Sequence, residues 1–142
     1  MIKRMTAADL ALIAGIDKAA FGKPWKEQDF KDELEKDYAY YFTADAGGKT
    51  VGYGGIWCVY ETAELIRIAV EPSARGCGTA GRIMEHILDF AAGKGCEKMM
   101  LEVRESNEAA RGLYKKYGFS EISVRKDYYD GDENAIIMQK EL

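Results

Sequence analysis

Histidine is almost absent from this chain, and cysteine is scarce and poorly spaced for chemistry. His86 is the single histidine among 142 residues. A Ser-His-Asp triad would have to use it, and no G-x-S-x-G elbow is present. His86 falls in a helical stretch, beside the apolar stripe, which leaves it as an ordinary helix residue. The three cysteines, Cys58, Cys77 and Cys96, form no C-x-x-C, and their number is odd. That argues against a disulfide framework or a zinc site and fits a reducing compartment. No apolar run reaches the length of a membrane span. The first residues, "MIKRMTAADLALIAGID", lack the uninterrupted apolar segment of a signal peptide, so the cytoplasm is the expected location. Positive charge is not in excess either: 20 Lys and Arg face 24 Asp and Glu, a net charge of −4. A general nucleic-acid or anionic-membrane binder is therefore not expected. An acidic surface suits a cationic partner, or serves solubility alone.

What is present fits one domain, residues 1–142, with an ordinary globular composition of 47% hydrophobic and 31% charged residues. "IKRM" reads as a first strand. Thr6 and Asp9 resemble a capping box with Asp in place of Glu, opening a helix to about residue 20. A second helix covers about 26–36, with Phe30 and Leu34 one turn apart. "YAYYFTADA", "TVGYGGIWCVY" and "AELIRIAV" read as strands separated by turn signals. Residues 78–92 form the clearest helix, because Ala80, Ile83, Met84, Ile87, Leu88 and Ala91 make one stripe. Strand "CEKMMLEV", a short helix over 107–117, and strands "FSEISVRK" and "AIIMQKEL" complete the order β-α-α-β-β-β-α-β-α-β-β. Strand 64–70, helix 78–92 and strand 96–103 form a right-handed βαβ unit with parallel strands. The fold class is thus α/β, α+β-like: a mixed sheet, mostly antiparallel, with one parallel pair and helices on both faces.

The stretch "RGCGTAGR" (75–82) contains a literal G-x-G-x-x-G through Gly76, Gly78 and Gly81. A dinucleotide fold places that fingerprint in its first βα turn. Here some seventy residues and several strands precede it, and too few follow. A P-loop fails for want of Gly-Lys-Ser/Thr. The physical content remains: glycines between a strand end and a helix start let backbone approach a phosphate, and the helix dipole favours that charge. Arg75 adds a fixed positive charge. The alternative is a glycine-rich loop with nothing bound.

The residues around this loop carry a resemblance. R-x-x-G-x-A at Arg75, Gly78 and Ala80 resembles the acetyl-CoA pyrophosphate loop of the GNAT superfamily of N-acetyltransferases. "LEVRESNEAARGLYKKYGF" (101–119), "RKDYY" (125–129) and "AIIM" (135–138) are similar to the bacterial ribosomal-protein alanine N-acetyltransferases, the RimI type. "KPWKEQDF" near the front is a weaker echo. The strong part covers residues 64–138. The resemblance implies the GNAT fold and an acetyl-CoA-dependent transfer to the N-terminal α-amine of a protein. The implied acceptor is the N-terminal alanine of a small-subunit ribosomal protein, attacked directly in a ternary complex. A small amine, a protein lysine, or a non-catalytic acyl-CoA-binding module are the alternatives. No metal, nucleic acid or membrane is implied, and a monomer or weak dimer is expected.

The resemblance makes Glu102 the base. Read alone, Glu102 is an acid between Met100 and Arg104 on one strand face, equally suited to pairing with Arg104. Tyr114 matches the family's proton donor to the leaving thiolate; read alone it is a core tyrosine on the face of Ala110, Leu113 and Tyr117. Ile68, Ala69 and Val70 are expected to hold the pantetheine arm through their backbone, as an added strand is held. Arg75, Gly76, Cys77, Gly78, Thr79 and Ala80 are expected to cradle the pyrophosphate, and Cys77 needs no nucleophilic role. Asn107 matches a cofactor contact and is also well suited to start a helix. Trp25, Tyr128 and Tyr129 are expected to form the lip over an incoming peptide, beside an acidic turn of Asp130, Asp132 and Glu133. The chain departs from the family at Thr79, usually aliphatic, and at Ala80, usually glycine. Asp127 and Asn134 also stand where Asn and Asp are expected.

Overall fold

The computed structural model describes residues 1–129 and 131–142, so Asp130 of the expected acidic turn lies outside the described residues. Seven strands make one sheet: β1 (Ile2–Arg4), β2 (Ala39–Ala46), β3 (Lys49–Val59), β4 (Thr62–Val70), β5 (Lys98–Arg104), β6 (Ser120–Tyr129) and β7 (Glu133–Glu141). Their spatial order is β1-β2-β3-β4-β5-β7-β6. β4 and β5 are parallel, as the βαβ reading expected, and the other neighbouring pairs are antiparallel. Among the described residues, no helix is long and apolar enough to cross a membrane.

Helices cover the two faces unequally. On one face, α3 (Thr79–Gly93) buries Ile83, Met84, Ile87, Leu88 and Ala91. These pack with Phe42, Ile56, Leu65, Met99 and Leu101 of the sheet, and α4 (Glu108–Lys116) adds Tyr114 to the same core. On the other face, Leu10, Ile13 and Ile16 of α1 (Leu10–Ala20) and Phe30 of α2 (Glu27–Leu34) pack against Tyr41, Tyr53 and Ala69. The expected capping box opens α1 through a short 3-10 turn: Thr6 N–H donates to Asp9 Oδ2 at 2.8 Å. Strand alternation on β5 sends Met99, Leu101 and Val103 into the α3 side and leaves Met100, Glu102 and Arg104 on the α1–α2 side.

Two buried carboxylates tie the α1–α2 layer to the sheet. Glu33 of α2 accepts the Tyr41 hydroxyl at 2.6 Å, Trp57 Nε1 at 2.8 Å, and Lys36. Asp17 of α1 is fully buried and accepts Tyr53, Arg67 and the Trp25 backbone. A buried carboxylate is tolerated only when its lone pairs are satisfied in this way.

The feature that makes a site is where the sheet fails to close. β4 and β5 pair only at Thr62↔Lys98, Ala63↔Met99 and Glu64↔Met100. Beyond Glu64 the two strands part. The β3–β4 register also slips, so that Leu65 pairs with Ile56 while Arg67 pairs with Gly55 and Ile66 is left over. Such a bulge bends its strand. It turns β4 away from β5 and opens the carboxyl ends of both.

The last hairpin is longer than expected. β6 runs to Tyr129 rather than 126, and β7 begins at Glu133, because Tyr129 pairs with Glu133 and shortens the turn. The hairpin bulges between Arg125 and Tyr129, where Asp127 takes φ 54°, a left-handed value that Asp tolerates. Asp127 N–H donates to Asn134 Oδ1 at 3.0 Å. The two exchanged residues therefore contact each other.

Candidate active site

A cleft of about 1220 Å³ runs through the parting of β4 and β5. One wall is residues 65–70 of β4, and the other is Glu102, Val103 and Arg104 of β5 with the inner face of α4. The 74–81 loop closes one end, while residues 20–23 and Tyr129 flank the cleft elsewhere.

The loop presents positive-φ glycines and an uncapped helix start to the cleft. Gly76 and Gly78 take φ 81° and 79°, values that an L side chain resists. Arg75 Nε donates to the Val70 carbonyl at 3.2 Å, which pins the loop to the end of β4. Helix α3 begins at Thr79 with no side-chain cap, and its first intrahelical bond runs from Arg82 N–H to the Gly78 carbonyl at 3.1 Å. The N–H groups before Arg82 are thus left for a ligand. Arg75, Gly76, Gly78, Thr79 and Ala80 line the cleft. Cys77 is exposed and is not among the lining residues. Ile68, Ala69 and Val70 line the wall where β4 has lost β5 as a partner, leaving one backbone edge open.

Gly81 lines the same end and has a packing reason to be glycine. A Cβ there would overlap the Tyr117 hydroxyl, with the ring Cζ at 3.3 Å. The third glycine of the dinucleotide-like pattern therefore admits an aromatic ring of the following helix. The i+4 pattern of α4 placed Tyr117 on an apolar face but could not say what it would meet.

Glu102 and Tyr114 meet the cleft from different elements. Tyr114 is 7% exposed, and burial pushes its phenol up to about 12, with the neighbouring Tyr129 adding to the rise. Its ring packs edge-on against Phe119 at 5.9 Å, and no described residue hydrogen-bonds its hydroxyl. Glu102 pairs through Oε1 with Arg125 at 3.1 Å. The pairing with Arg104 suggested by strand position does not form. Arg104 instead binds Glu133 at 3.0 Å and stacks on Tyr129 at 4.1 Å. Glu133 also accepts the Ser106 N–H at 3.0 Å, so its charge is spent within the protein. Its carboxyl is held below the usual range by those bonds from Ser106 and Arg104. Glu64 supplies a second carboxyl near Glu102: partial burial, then the charge of Glu102, raises it, while Arg125 opposes the rise.

Asn107 does what a helix-start residue does and also faces the cleft. Its Oδ1 accepts Ala110 N–H at 3.1 Å, capping α4. The three aromatic lip residues do not gather. Tyr129 lines the cleft; Tyr128 stacks on it at 5.2 Å and stays 48% exposed. Trp25 packs on Phe30 and over Arg67, outside the lining. His86 packs edge-on against Phe42 at 4.6 Å. Among the described residues, no three His, Cys, Asp or Glu side chains come together to hold a metal. The residues not singled out from sequence are Asp17, Arg67 and Arg125. The one available signal was Arg67, a lone charge inside the apolar "LIRIAV".

A parted parallel pair, a glycine-rich loop at a helix start between them, and a carboxylate and a buried phenol lining the same cleft are the features of an acyltransferase site. The chain matches the acetyltransferase (GNAT) family over residues 10–119 and belongs to it. It is 34% identical over 140 residues to the ribosomal protein bS18-alanine N-acetyltransferase of Escherichia coli (strain K12), covering 96% of this chain and 94% of that protein. Over 134 residues it is 35% identical to the N-alpha-acetyltransferase RimI of Mycobacterium tuberculosis (strain ATCC 25618 / H37Rv), covering 90% and 83%. The crystal structure of the ribosomal-protein-S18-alanine N-acetyltransferase from Escherichia coli matches with a TM-score of 0.92 at 33% identity, covering 99% of this chain and 92% of that one. The chain is thus a GNAT N-alpha-acetyltransferase, and the family implies acetyl-CoA as the acetyl donor.

Proposed function

We propose that this enzyme acetylates the N-terminal alanine of ribosomal protein bS18, by direct attack of the α-amine with donor and acceptor bound together. The placement of Glu102 and Tyr114 at one cleft, beside an open strand edge and an anion-binding loop, carries this reading. The full-length relatives named for that substrate support the choice of acceptor. It works in the cytoplasm as a monomer or weak dimer, without metal, nucleic acid or membrane.

Acetyl-CoA supplies an activated acetyl thioester when bound. Gly76, Gly78, Thr79 and Ala80 hold its pyrophosphate through backbone N–H groups, with Arg75 and Cys77 completing the turn. Ile68, Ala69 and Val70 hold the pantetheine arm along the free edge of β4, and Asn107 adds a side-chain contact. An N–H of β4 also polarises the acetyl carbonyl. Tyr129, with Tyr128 behind it, orients the acceptor, while Trp25 acts through the wall it packs on.

An α-amine with a pKa near 8 is roughly a tenth neutral at pH 7, whereas a lysine near 10.4 is far below a hundredth. A modest base therefore suffices for an N-terminus. Glu102 Oε1 is taken by Arg125, so Oε2 receives the proton, directly or through water. Tyr114 donates a hydrogen bond to the departing sulfur. Moving a proton fully from a phenol near 12 to a thiolate of about 8.5 is uphill by roughly 5 kcal/mol. Tyr114 therefore stabilises developing charge, and solvent completes the protonation.

An acceptor screen by mass spectrometry tests the reading, with an alanine-initiated bS18 peptide set against polyamines and internal-lysine peptides. The alanine peptide should be preferred, and Glu102→Gln should lower its rate about 10²- to 10⁴-fold with acetyl-CoA binding kept. Preference for a polyamine or lysine would refute the acceptor, and an unchanged Glu102→Gln rate would remove Glu102 as base.

A further inference from the structure

Arg67 is the unusual residue of the cleft. It stands on β4 one residue before Ile68, between the apolar pairs Leu65–Ile66 and Ile68–Ala69, and lines the cleft wall. Its Nε and Nη2 grip Asp17 Oδ1 and Oδ2 at 2.9 and 2.8 Å. The guanidinium lies over the rings of Phe21, at 4.0 Å, and Trp25, at 4.6 Å. Nη2 also reaches the Lys23 carbonyl at 3.4 Å. Asp17 in turn accepts Trp25 N–H at 2.6 Å. Residues 21–26 lack helix or strand, and this ion pair and stack are among the contacts that hold them, with the Trp25–Phe30 ring contact and the Phe21 N–H bond to the Asp17 carbonyl.

The position of that segment matters. Phe21, Gly22 and Lys23 line the cleft from the α1–α2 layer, the same side of the sheet to which Glu102 projects. This segment, Tyr129 and Glu102 all line the one cleft. A bidentate Arg-carboxylate pair fixes direction as well as distance, and lysine cannot reproduce either the fork or the stacking. The neutralising Asp17 also removes a bare cation that would repel an incoming ammonium.

We propose that Arg67 is a positioning residue for the acceptor: clamped by Asp17 and stacked on Phe21 and Trp25, it fixes residues 21–23 as the acceptor-side wall. It touches no reacting atom. The inference rests on an amine acceptor entering on the Glu102 side.

The test compares Arg67→Lys and Phe21→Ala with the wild type. Arg67→Lys keeps the charge and loses the fork; Phe21→Ala removes one face of the stack and leaves the buried ion pair intact. Measured are acceptor KM, kcat, the acetyl-CoA Kd by calorimetry, and hydrogen exchange at the Trp25 amide. Acceptor KM should rise about tenfold in both, with kcat and acetyl-CoA Kd within about twofold and Trp25 exchange faster. An unchanged acceptor KM in both variants would overturn the proposal. So would acceptor KM and acetyl-CoA Kd rising together, which marks general loosening. Failure of Arg67→Lys to fold leaves Phe21→Ala to decide. Should the wild type prefer a small amine, the bS18 reading fails, while the same KM ratio with that amine still decides Arg67.

Discussion

Changing Gly81 to alanine puts two opposing effects in competition. Gly81 is the third residue of α3, where alanine is favoured by about 1 kcal/mol on helix propensity. Against this, the new methyl overlaps the Tyr117 hydroxyl, and the ring follows closely, with Cζ at 3.3 Å and Cε2 at 3.7 Å. Tyr117 caps the last turn of α4 through its backbone, so relief requires its half-buried side chain to turn out of its place. Overpacking of this kind costs about 2 kcal/mol. Gly81→Ala should therefore lose about 1 kcal/mol net, lowering Tm by roughly 3–4 °C for a chain of this size. Tyr117→Phe removes the offending atom and leaves only the tight Cζ contact. In that background the same alanine should be neutral or stabilising by up to about 1 kcal/mol. Urea unfolding of the four proteins of this cycle should give a coupling of about 1–2 kcal/mol. Equal effects of Gly81→Ala in both backgrounds would show that the glycine is not there to admit Tyr117.

Two further outcomes follow from the burial of single groups. Tyr114→Phe should leave stability within about 0.5 kcal/mol, because the hydroxyl has no described partner, yet slow thiolate departure about 10²-fold in single-turnover measurements. An unchanged departure rate would exclude the phenol. Burial would raise the Glu33 carboxyl, but hydrogen bonds from Lys36, Tyr41 and Trp57 outweigh it and hold it below 4.5. A carboxyl lowered by folding stabilises above its unfolded value and loses that contribution as pH falls through the folded one. Glu33→Gln should thus cost about 1–3 kcal/mol at pH 7, and the gap to wild type should shrink below about pH 4.5. A gap independent of pH by urea titration would refute the assignment.

Most elements could be read along the chain because their signals are local. The stripe of α3 repeats within a few turns, and Thr6 and Asp9 are three residues apart, so neither needs a distant partner. The glycine turn before α3 was legible for the same reason: Arg75 to Ala80 encode it within six residues. Partners were not legible. Glu102 was set against Arg104, its same-face neighbour on the strand, but residues two apart on a strand lie nearly 7 Å apart. The side chain that reaches it is Arg125, two strands over in the sheet. Glu133 looked like a free turn charge until the hairpin closed and placed it against Arg104 and Ser106. Trp25 was grouped with Tyr128 and Tyr129 by type alone, and the α1–α2 layer holds it elsewhere.

The sequence by itself determined the βαβ unit, the glycine loop at its turn and, through its family likeness, the two candidate reacting groups. These depend on short-range periodicity and on the chemistry of single residues. Only the tertiary structure decided that β4 and β5 separate after Glu64, that Gly81 makes room for Tyr117, and that Asp17 holds Arg67 in the cleft wall. Each of these depends on which surfaces meet when distant segments pack. A bulge of one residue, or a ring in the place of a missing methyl, has no counterpart in the spacing of residues along the chain.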